Sequence, residues 1–263
     1  MSNSRIKIRY SENGIVRVTL NRPDIHNAFD EVMIAQLTST FLDLDKNKSI
    51  RVLILDAAGE SFSAGADLTW MRKMSGFSRD ENVQDSQQLA DLMSILYQMK
   101  CATIAAVQGA AYGGGVGLVA CCDIAIASTK TSFCFSEVKL GLIPAVISPY
   151  VVRAIGERAA KRYFMTAERF DASRATELGL ISEIVEPDEL EAKVMSIAGA
   201  ILKNGPEAVF AAKQLIQDVA LKTIDGKLKL QTAQRIATMR ASEQGREGVT
   251  AFLEKRKAKW EHK

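Results

Sequence analysis

The sequence predicts an α/β core followed by a helical C-terminal region. Short apolar segments typical of strands alternate with amphipathic helical segments up to about residue 190. Beyond that point only helical periodicity remains, in four consecutive segments: 188–203, 206–220, 225–242 and 244–258. A chain of 263 residues that is 47% hydrophobic can bury a core without disulfide bonds. We therefore expect an α/β core over residues 1–190 and a helical region over residues 191–263.

The N-terminal half predicts a β-hairpin followed by alternating helices and strands. Ile6–Tyr10 and Val16–Leu20 alternate apolar and polar residues on either side of Asn13-Gly14, a typical hairpin turn. Asp30 is a suitable N-cap for a helix that runs to about Asp45. The remaining elements are a short helix capped by Asp67, a helix around Asp80–Lys100 that is followed by one ending near Cys121, and strands at Val52–Leu55, Thr103–Val107 and Ile124–Ala127.

Charge balance and histidine content exclude several classes of protein. The 34 Lys and Arg residues nearly balance the 31 Asp and Glu residues, and this net charge of +3 is too small to indicate nucleic-acid binding. The only histidines, His26 and His262, lie near opposite ends of the chain. A His-rich metal site or a Ser-His-Asp triad therefore has little to build on, and we expect no metal.

The cysteine spacing and the lack of intact metal- and nucleotide-binding motifs argue against further kinds of functional site. Four cysteines lack zinc-ligand spacing, and we interpret them as buried, reduced thiols: Cys101, Cys121, Cys122 and Cys134. The sequence contains neither a GxxxxGK[ST] phosphate loop nor an HExxH motif. Gly115–Ala120 fits a loose GxGxxA pattern, but it lies too far beyond the preceding strand for a dinucleotide site.

An uncharged run of 22 residues from Cys101 to Cys122 is long enough to be mistaken for a membrane span. Glycines interrupt this run, and a strand, a turn and a helix explain it better. The N-terminal residues also lack the apolar segment of a secretory signal. We therefore expect a cytoplasmic protein that does not enter a membrane.

Two glycine-rich turns, Phe62–Leu68 and Gly109–Gly117, each open a predicted helix. A helix N-terminus offers unpaired N–H groups and a partial positive charge, and glycine lets a substrate approach them closely. Two such N–H groups directed at one carbonyl oxygen form an oxyanion hole, in which each donor contributes about 3–4 kcal/mol. The alternative interpretation is that both turns contain only packing or capping glycines.

Glu137 precedes an apolar stretch that ends at Pro144. A carboxylate against apolar walls has its pKa raised toward the range of a general acid or base. A solvated or ion-paired glutamate is the alternative.

An ordered set of short motifs runs across nearly the whole chain: Asn21–Asp24, His26–Phe29, Ala64–Asp67, Ile104–Gly109, Gly113–Gly115, Cys122–Ile124, Glu137–Pro144, Ala175–Gly179 and Phe252–Arg256. No single motif is diagnostic, but the ordered set resembles the enoyl-CoA hydratase/isomerase (crotonase) superfamily. The resemblance implies a crotonase-like spiral of ββα units with a C-terminal helical region that trimerises. It also implies a hexamer built as a dimer of trimers and an acyl-CoA thioester substrate. Coenzyme A is then part of the substrate, and we expect no separate cofactor.

Carried over residue by residue, the resemblance assigns the oxyanion hole to the amides of Ala66 and Gly114, and proton transfer to Glu137. The tail lysine matches a family position that reaches CoA phosphates, often across a subunit boundary. Seven positions are expected to contact the substrate: Ala64, Asp67, Leu68, Tyr112, Gly117, Ala145 and Lys255.

The chain departs from the usual hydratase pattern at two places. Gly117 stands where hydratases of this family generally carry a second glutamate, and Ala145–Tyr150 replaces a glycine-rich stretch. The missing side chain at Gly117 is expected to leave room for a branched or acidic acyl group. Within the family, the sequence most resembles 3-methylglutaconyl-CoA hydratases. The predicted function is therefore hydration of a short or branched 2-enoyl-CoA.

Two alternatives stay open. A Δ3-Δ2-enoyl-CoA isomerase is one, because a single glutamate suffices to move a proton between two carbons. The other is a catalytically weak acyl-CoA-binding or RNA-associated scaffold, against which the presence of Glu137 argues.

Overall fold

The computed structural model describes residues 4–262, with nine strands and ten α-helices in this range. The strands are β1 (Ile6–Tyr10), β2 (Ile15–Leu20), β3 (Val52–Ala57), β4 (Ala102–Val107), β5 (Ala110–Tyr112), β6 (Ile124–Ser128), β7 (Ser132–Cys134), β8 (Phe170–Asp171) and β9 (Glu183–Val185). The helices are α1 (Glu31–Lys46), α2 (Leu68–Met74), α3 (Arg79–Gln98), α4 (Gly114–Cys121), α5 (Ser148–Thr166), α6 (Ala172–Glu177), α7 (Leu190–Leu202), α8 (Pro206–Val219), α9 (Gly226–Ala241) and α10 (Glu243–Leu253).

A six-stranded sheet in the order β1-β2-β3-β4-β6-β9 forms the centre of the fold. The hairpin strands β1 and β2 pair antiparallel, and every later pair in this sheet is parallel. Parallel neighbours need crossover segments, which here include α1, α3 and α4. Both the predicted hairpin and the predicted α/β class are confirmed.

The first predicted helix illustrates how local sequence and burial agree. The Asp30 side chain accepts a hydrogen bond from the Met33 amide at 2.7 Å and so caps α1. One face of α1 is buried in the core against α3 and β1: Met33, Ile34, Leu37, Phe41 and Leu44. Four of these five residues repeat at three- and four-residue spacing, which is the pattern that predicted the helix.

A second, smaller sheet has the order β5-β7-β8 and was not predicted. Its ladder continues through two isolated parallel bridges, Ser63 with Ala111 and Phe29 with Ala66. These strands have two or three residues each, too few for a recognisable period-two pattern. The small sheet nevertheless lines up the segments that follow the carboxyl ends of the central strands.

Four helices follow the last strand, as predicted. The first of them, α7, buries Val194 and Ala198 against a core cluster on one face of the central sheet. The helix that begins the C-terminal region therefore packs with the α/β region. The division at residue 190 stays a prediction.

The last helix ends earlier than expected. The sequence predicted helix over 244–258, whereas α10 stops at Leu253. Lys255 adopts a left-handed conformation with φ 54°, and the Arg256 amide donates to the Ala251 carbonyl at 3.0 Å. This is the hydrogen-bonding pattern of a Schellman C-cap, which ends a helix without requiring glycine.

Within residues 4–262, no helix is long and apolar enough to cross a membrane. The same range contains no cluster of three or more His, Cys, Asp or Glu side chains that could hold a metal ion. Cys121 and Cys134 are buried and Cys101 and Cys122 are half-buried, and all four are free thiols. Burial raises the pKa of Cys101 to about 12, so this thiol is a poor nucleophile at neutral pH.

Candidate active site

The first glycine turn holds the Ala66 amide in a defined direction. The Phe29 amide donates to the Gly65 carbonyl and the Asp67 amide donates to the Phe29 carbonyl, both at 2.7 Å. In a parallel bridge of this kind the residue between the two bonded positions points its own N–H to the other side. Ala66 is that residue, it is exposed, and no group in residues 4–262 accepts its N–H.

The second glycine turn presents the Gly114 amide at the start of α4. Gly113 has φ 50°, a conformation that favours glycine, and its amide donates to the Cys134 carbonyl of β7 at 3.0 Å. Gly114 is the first residue of the helix, where the N–H has no partner within the helix. As for Ala66, the described part of the chain contains no acceptor for this N–H.

The two turns pack directly against each other. A Cβ on Gly113 would lie 3.9 Å from the Gly65 Cα, and one on Gly65 would lie 3.5 Å from the Tyr112 carbonyl oxygen. A Cβ on Gly115 would lie 2.9 Å from the Ser63 Cβ, closer than such atoms approach in proteins. Glycine at these positions therefore lets the turns that carry Ala66 and Gly114 come together, as an oxyanion hole requires.

Glu137 lies beside the Gly114 turn. A Cβ on Gly113 would be 3.2 Å from the Glu137 Oε1, while Oε2 is buried without a partner among the described residues. Burial raises the pKa of Glu137, and a hydrogen bond from its own amide offsets part of this effect. The residue begins a 3-10 turn in which its carbonyl accepts from the Leu142 amide at 3.0 Å. A carboxylate held this way is suited to exchanging protons with a bound substrate.

Gly117 does not leave the expected open space. The side chains of Ile147 and Met93 occupy the volume that a side chain at this position would need. A Cβ on Gly117 would lie 3.0 Å from the Ile147 Cβ, 3.1 Å from the Met93 methyl carbon, and closer still to the Ile147 Cγ2. The expectation that the missing side chain leaves room for a branched or acidic acyl group is therefore wrong for this conformation.

Among the other residues expected to contact the substrate, some are exposed and one is already hydrogen-bonded within the chain. Ala64, Leu68 and Ala145 are exposed, as Ala66 is. The Tyr112 hydroxyl is instead hydrogen-bonded to Ser132 Oγ at 3.1 Å. A substrate can reach the first group of residues directly, whereas the Tyr112 hydroxyl already uses part of its hydrogen-bonding capacity within the chain.

The Asp67 carboxylate is bound within the chain. Its Oδ1 accepts from the amides of Thr69 at 2.7 Å and Trp70 at 3.2 Å, which caps α2 as predicted. Its Oδ2 pairs with Arg22 at 2.9 Å. Sequence reasoning included Arg22 only within the Asn21–Asp24 motif and did not identify this contact.

Lys255 lies in a segment that is anchored at the opposite end of the central sheet from these turns. The Trp260 carbonyl accepts from Arg51, which directly precedes β3, at 3.5 Å. Ala66 and Gly114 instead follow the carboxyl ends of β3 and β4. The structure therefore does not bring Lys255 to the Glu137 site of its own chain.

Comparisons with known proteins identify the family of this chain. The profile of the enoyl-CoA hydratase/isomerase family matches residues 10–263. The chain is 33% identical over 241 residues to the crotonyl-CoA hydratase of Syntrophomonas wolfei, covering 91% of each chain. It is 34% identical over 255 residues to the human enoyl-CoA hydratase domain-containing protein 3, mitochondrial, covering 95% of this chain and 81% of the human protein.

A solved structure shows the same fold. The crystal structure of an enoyl-CoA hydratase from Shewanella pealeana superposes with a TM-score of 0.95 at 46% identity, covering 98% of this chain and 97% of that one. The protein has the crotonase fold of an enzyme that acts on enoyl-CoA thioesters. This chain belongs to the enoyl-CoA hydratase/isomerase family.

Proposed function

We propose that the protein hydrates a short 2-enoyl-CoA thioester, using the Ala66 and Gly114 amides as an oxyanion hole and Glu137 as the acid–base group. The observation that carries this proposal is the buried, unpartnered Glu137 Oε2 beside a turn with an unpaired amide. Native structures rarely leave buried polar groups unpaired without a functional reason. A thioester carbonyl would supply the acceptor that both amides lack.

The proposed reaction uses one carboxylate twice. Glu137 takes a proton from water while the water oxygen bonds to C3 and the C2–C3 double-bond electrons move toward the thioester. The negative charge collects on the thioester oxygen, where the amides of Ala66 and Gly114 stabilise it. Protonated Glu137 then delivers the proton to C2, which leaves a 3-hydroxyacyl-CoA and an ionised Glu137.

A small panel of thioesters tests this proposal. We expect crotonyl-CoA to lose its conjugated ultraviolet absorbance in the presence of enzyme and to form 3-hydroxybutyryl-CoA. The same assay with 3-methylglutaconyl-CoA tests the branched, acidic substrate that the family resemblance implied, and we expect slower turnover because the surroundings of Gly117 are packed. Binding of these thioesters and of a 3-enoyl-CoA, with turnover of none of them, would favour the acyl-CoA-binding alternative.

A Δ3-Δ2-enoyl-CoA isomerase is the second candidate, and one observation favours it. The volume where the family pattern expects a second carboxylate is filled by the apolar side chains of Ile147 and Met93. Water addition benefits from two carboxylates, whereas moving a proton from C2 to C4 needs only one. A gain of conjugated absorbance from a 3-enoyl-CoA, with no loss from crotonyl-CoA, would establish the isomerase and exclude the hydratase.

We also propose that the active form is an oligomer in which a neighbouring copy supplies Lys255. This lysine is exposed and distant from the Glu137 site of its own chain. Its ammonium group is suited to the phosphates of coenzyme A, and the helical region offers an apolar surface for assembly.

A further inference from the structure

Arg22 ties together the two segments that set the direction of the Ala66 amide. Its side chain is only 13% exposed. Nη1 lies 3.0 Å from Asp30 Oδ2 and donates to the Ala28 carbonyl at 2.8 Å, while Nη2 lies 2.9 Å from Asp67 Oδ2. A rigid guanidinium is suited to bridging two carboxylates in this way, and the flexible point charge of lysine is not.

Each of the two aspartates is also the N-cap of a helix. Asp30 caps α1 and Asp67 caps α2, each through its Oδ1. Burial opposes ionisation of Asp67, but hydrogen bonds from the amides of Thr69 and Trp70 and the charge of Arg22 outweigh it and lower the pKa of Asp67. One buried cation therefore links the first turns of two helices from different parts of the chain.

The contacts of Arg22 with Asp30 and Asp67, here called the clamp, lie directly next to a backbone bridge. This bridge, between Phe29 and Ala66, directs the Ala66 amide. Phe29 precedes Asp30 and Ala66 precedes Asp67, so Arg22 joins the residues that follow the two bridged positions. The backbone around Arg22 is itself fixed, because its amide donates to Asn27 Oδ1 at 2.7 Å. The Asn27 side chain in turn donates to the Ala58 and Ser61 carbonyls, both at 2.8 Å.

We propose that Arg22 is a positioning residue that holds the Ala66 amide on the thioester oxygen by clamping Asp67 to Asp30. This inference rests on the oxyanion hole of the proposed function. Without Arg22 nothing ties Asp67 to Asp30, because Arg5 contacts Asp30 but not Asp67, and the buried Asp67 carboxylate is left without its cation. Asp67 and the first turn of α2 then move away from Asp30, and Ala66 moves with them. Misplacement of about 1 Å at a reacting group costs on the order of 10²-fold in rate.

The test measures polarisation of the bound thioester carbonyl together with turnover. We expect Arg22→Gln to lower kcat about 10- to 100-fold while KM changes less than about threefold. In a Glu137→Gln background, where bound crotonyl-CoA persists, we expect Arg22→Gln to abolish most of the red shift in thioester absorbance. Arg22→Lys should restore only part of it, since one ammonium group cannot bridge both carboxylates as the guanidinium does.

A matched control separates positioning from simple loss of a buried ion pair. Arg5 contacts Asp30 Oδ2 at 3.2 Å but does not contact Asp67. We expect Arg5→Gln to keep the red shift and kcat within about twofold of wild type, because this change leaves the contacts of Arg22 with Asp30 and Asp67 intact. Asp67→Asn keeps a side chain that can cap α2 but removes the partner of Arg22, so it should lose as much of the red shift as Arg22→Gln.

The outcomes distinguish this inference from the proposed function. A full red shift and unchanged kcat in Arg22→Gln would overturn the positioning role. If Arg22→Gln does not fold, full retention of both properties in Arg22→Lys and Asp67→Asn would overturn it equally. Absence of any red shift when Arg22 is intact would instead contradict the oxyanion hole itself. Additive losses in Arg22→Gln/Asp67→Asn would show that the two residues act separately, and would also contradict the clamp.

Discussion

Ile147, directly before α5, fills the space beside Gly117 in α4. The Ile147 side chain is only 3% exposed, and its Cβ lies 3.0 Å from where a Cβ on Gly117 would be. The sequence departs from the usual hydratase pattern both at Gly117 and in the stretch 145–150, and these departures contact each other. Both departures belong to one packing contact, because a glycine in α4 lets the residue directly before α5 approach that helix.

This contact predicts that added bulk at Gly117 destabilises the protein. We expect Gly117→Ala to lower the free energy of unfolding by about 1–3 kcal/mol, because Ile147 and Met93 leave no room. Urea denaturation at a fixed protein concentration measures this loss. Gly199→Ala in α7 is the matched control, because a Cβ there meets nothing within 4 Å, and we expect it to gain up to about 1 kcal/mol.

A shorter side chain at position 147 tests whether the clash with Ile147 causes this loss of stability. Gly117→Ala/Ile147→Ala should be more stable than the sum of the single changes predicts, since Ile147→Ala vacates the space that the methyl group added at position 117 needs. Strict additivity would show that the two positions do not compete for one volume. Gly117→Glu alone should misfold rather than create a second catalytic carboxylate.

The second prediction concerns the catalytic role of Glu137. We expect Glu137→Gln to lower kcat at least about 10²-fold, the usual scale for removing a general acid or base, while CoA binding persists. Because burial raises the pKa of Glu137, the wild-type rate should fall on acidification at a pH above its ordinary value of 4.5. Initial rates with crotonyl-CoA across the pH range measure both effects. Retention of more than about a tenth of the wild-type kcat would assign proton transfer to another group.

Glu137 should also lower stability at neutral pH. At pH below 4.5 its carboxyl is protonated in both the folded and unfolded states, so burial of a charge costs nothing. As pH rises above 4.5, the unfolded state releases this proton more readily than the folded state, whose pKa is higher, and folding becomes less favourable. Glu137→Gln should therefore raise the urea midpoint at pH 7, and the difference from wild type should shrink toward about pH 4.

Glu81 provides a control, because its pKa is shifted in the opposite direction to that of Glu137. Hydrogen bonds from the backbone and side chain of Ser78 lower the pKa of Glu81 in the α3 capping box. Its stabilising contribution is therefore present above its unfolded pKa and is lost as pH falls. Glu81→Gln should lower the midpoint at pH 7, not raise it. Equal shifts in both variants would mean that the effect of Glu137 is not a consequence of its burial.

The Gly114 amide can be removed with little cost to the helix that carries it. Proline is favoured at the first helical position, which Gly114 occupies, so Gly114→Pro removes the N–H where α4 does not need it. We expect kcat/KM to fall about 10²- to 10³-fold. Gly114→Ala measures the cost of bulk alone, because its Cβ makes contact with the Phe29 ring at 3.4 Å but the N–H remains. Equal activities in the two variants would exclude this amide from the oxyanion hole.

Local signals made much of this arrangement predictable from the sequence. Asp30 and Asp67 cap the helices that they were expected to cap, since an N-cap depends on only the next three residues. The glycines at 113 and 115 marked a turn because few other residues fit there. Motif order across the chain then supplied the family, whose profile covers nearly all of the sequence.

Non-local contacts account for what the sequence did not predict. Arg22 and Asp67 are separated by 45 residues, and nothing in their separate motifs indicates that their charges meet. The contact between Gly117 and Ile147 likewise joins α4 to the residue directly before the unpredicted α5, and depends on how the two helices pack. Neither partner in these pairs has a periodic pattern that reveals the other.

The last prediction concerns assembly and the place of Lys255. Large apolar side chains in and around α8–α10 are more than half exposed in the single chain: Ile216, Leu221, Ile224, Leu230, Ile236, Val249, Phe252 and Leu253. An apolar surface of this extent marks an interface between proteins. We expect light scattering to give a multiple of the monomer mass of 28.8 kDa, with six copies as the expected number. A monomer at micromolar concentration would contradict this prediction.

Single substitutions show which surface is used. Phe252 is 82% exposed, and Phe252→Asp should lower the particle mass and raise KM because Lys255 is three residues away. Tyr10→Asp, at an exposed apolar residue outside the helical region, should leave the mass unchanged. A cut after residue 190 cannot replace these variants, since it also removes Val194 and Ala198 from the core.

Mixed oligomers test whether Lys255 acts between subunits. Lys255→Ala should raise KM for crotonyl-CoA about tenfold, because a hydrogen bond to a charged group contributes about 1.5–3 kcal/mol. Glu137→Gln chains are expected to be inactive but keep their own Lys255. When the two variants are expressed together, each Lys255→Ala site that borders a Glu137→Gln chain regains a lysine, so the KM of the mixture should fall toward wild type. If Lys255 instead serves its own chain, the mixture keeps the high KM of the Lys255→Ala variant at every ratio.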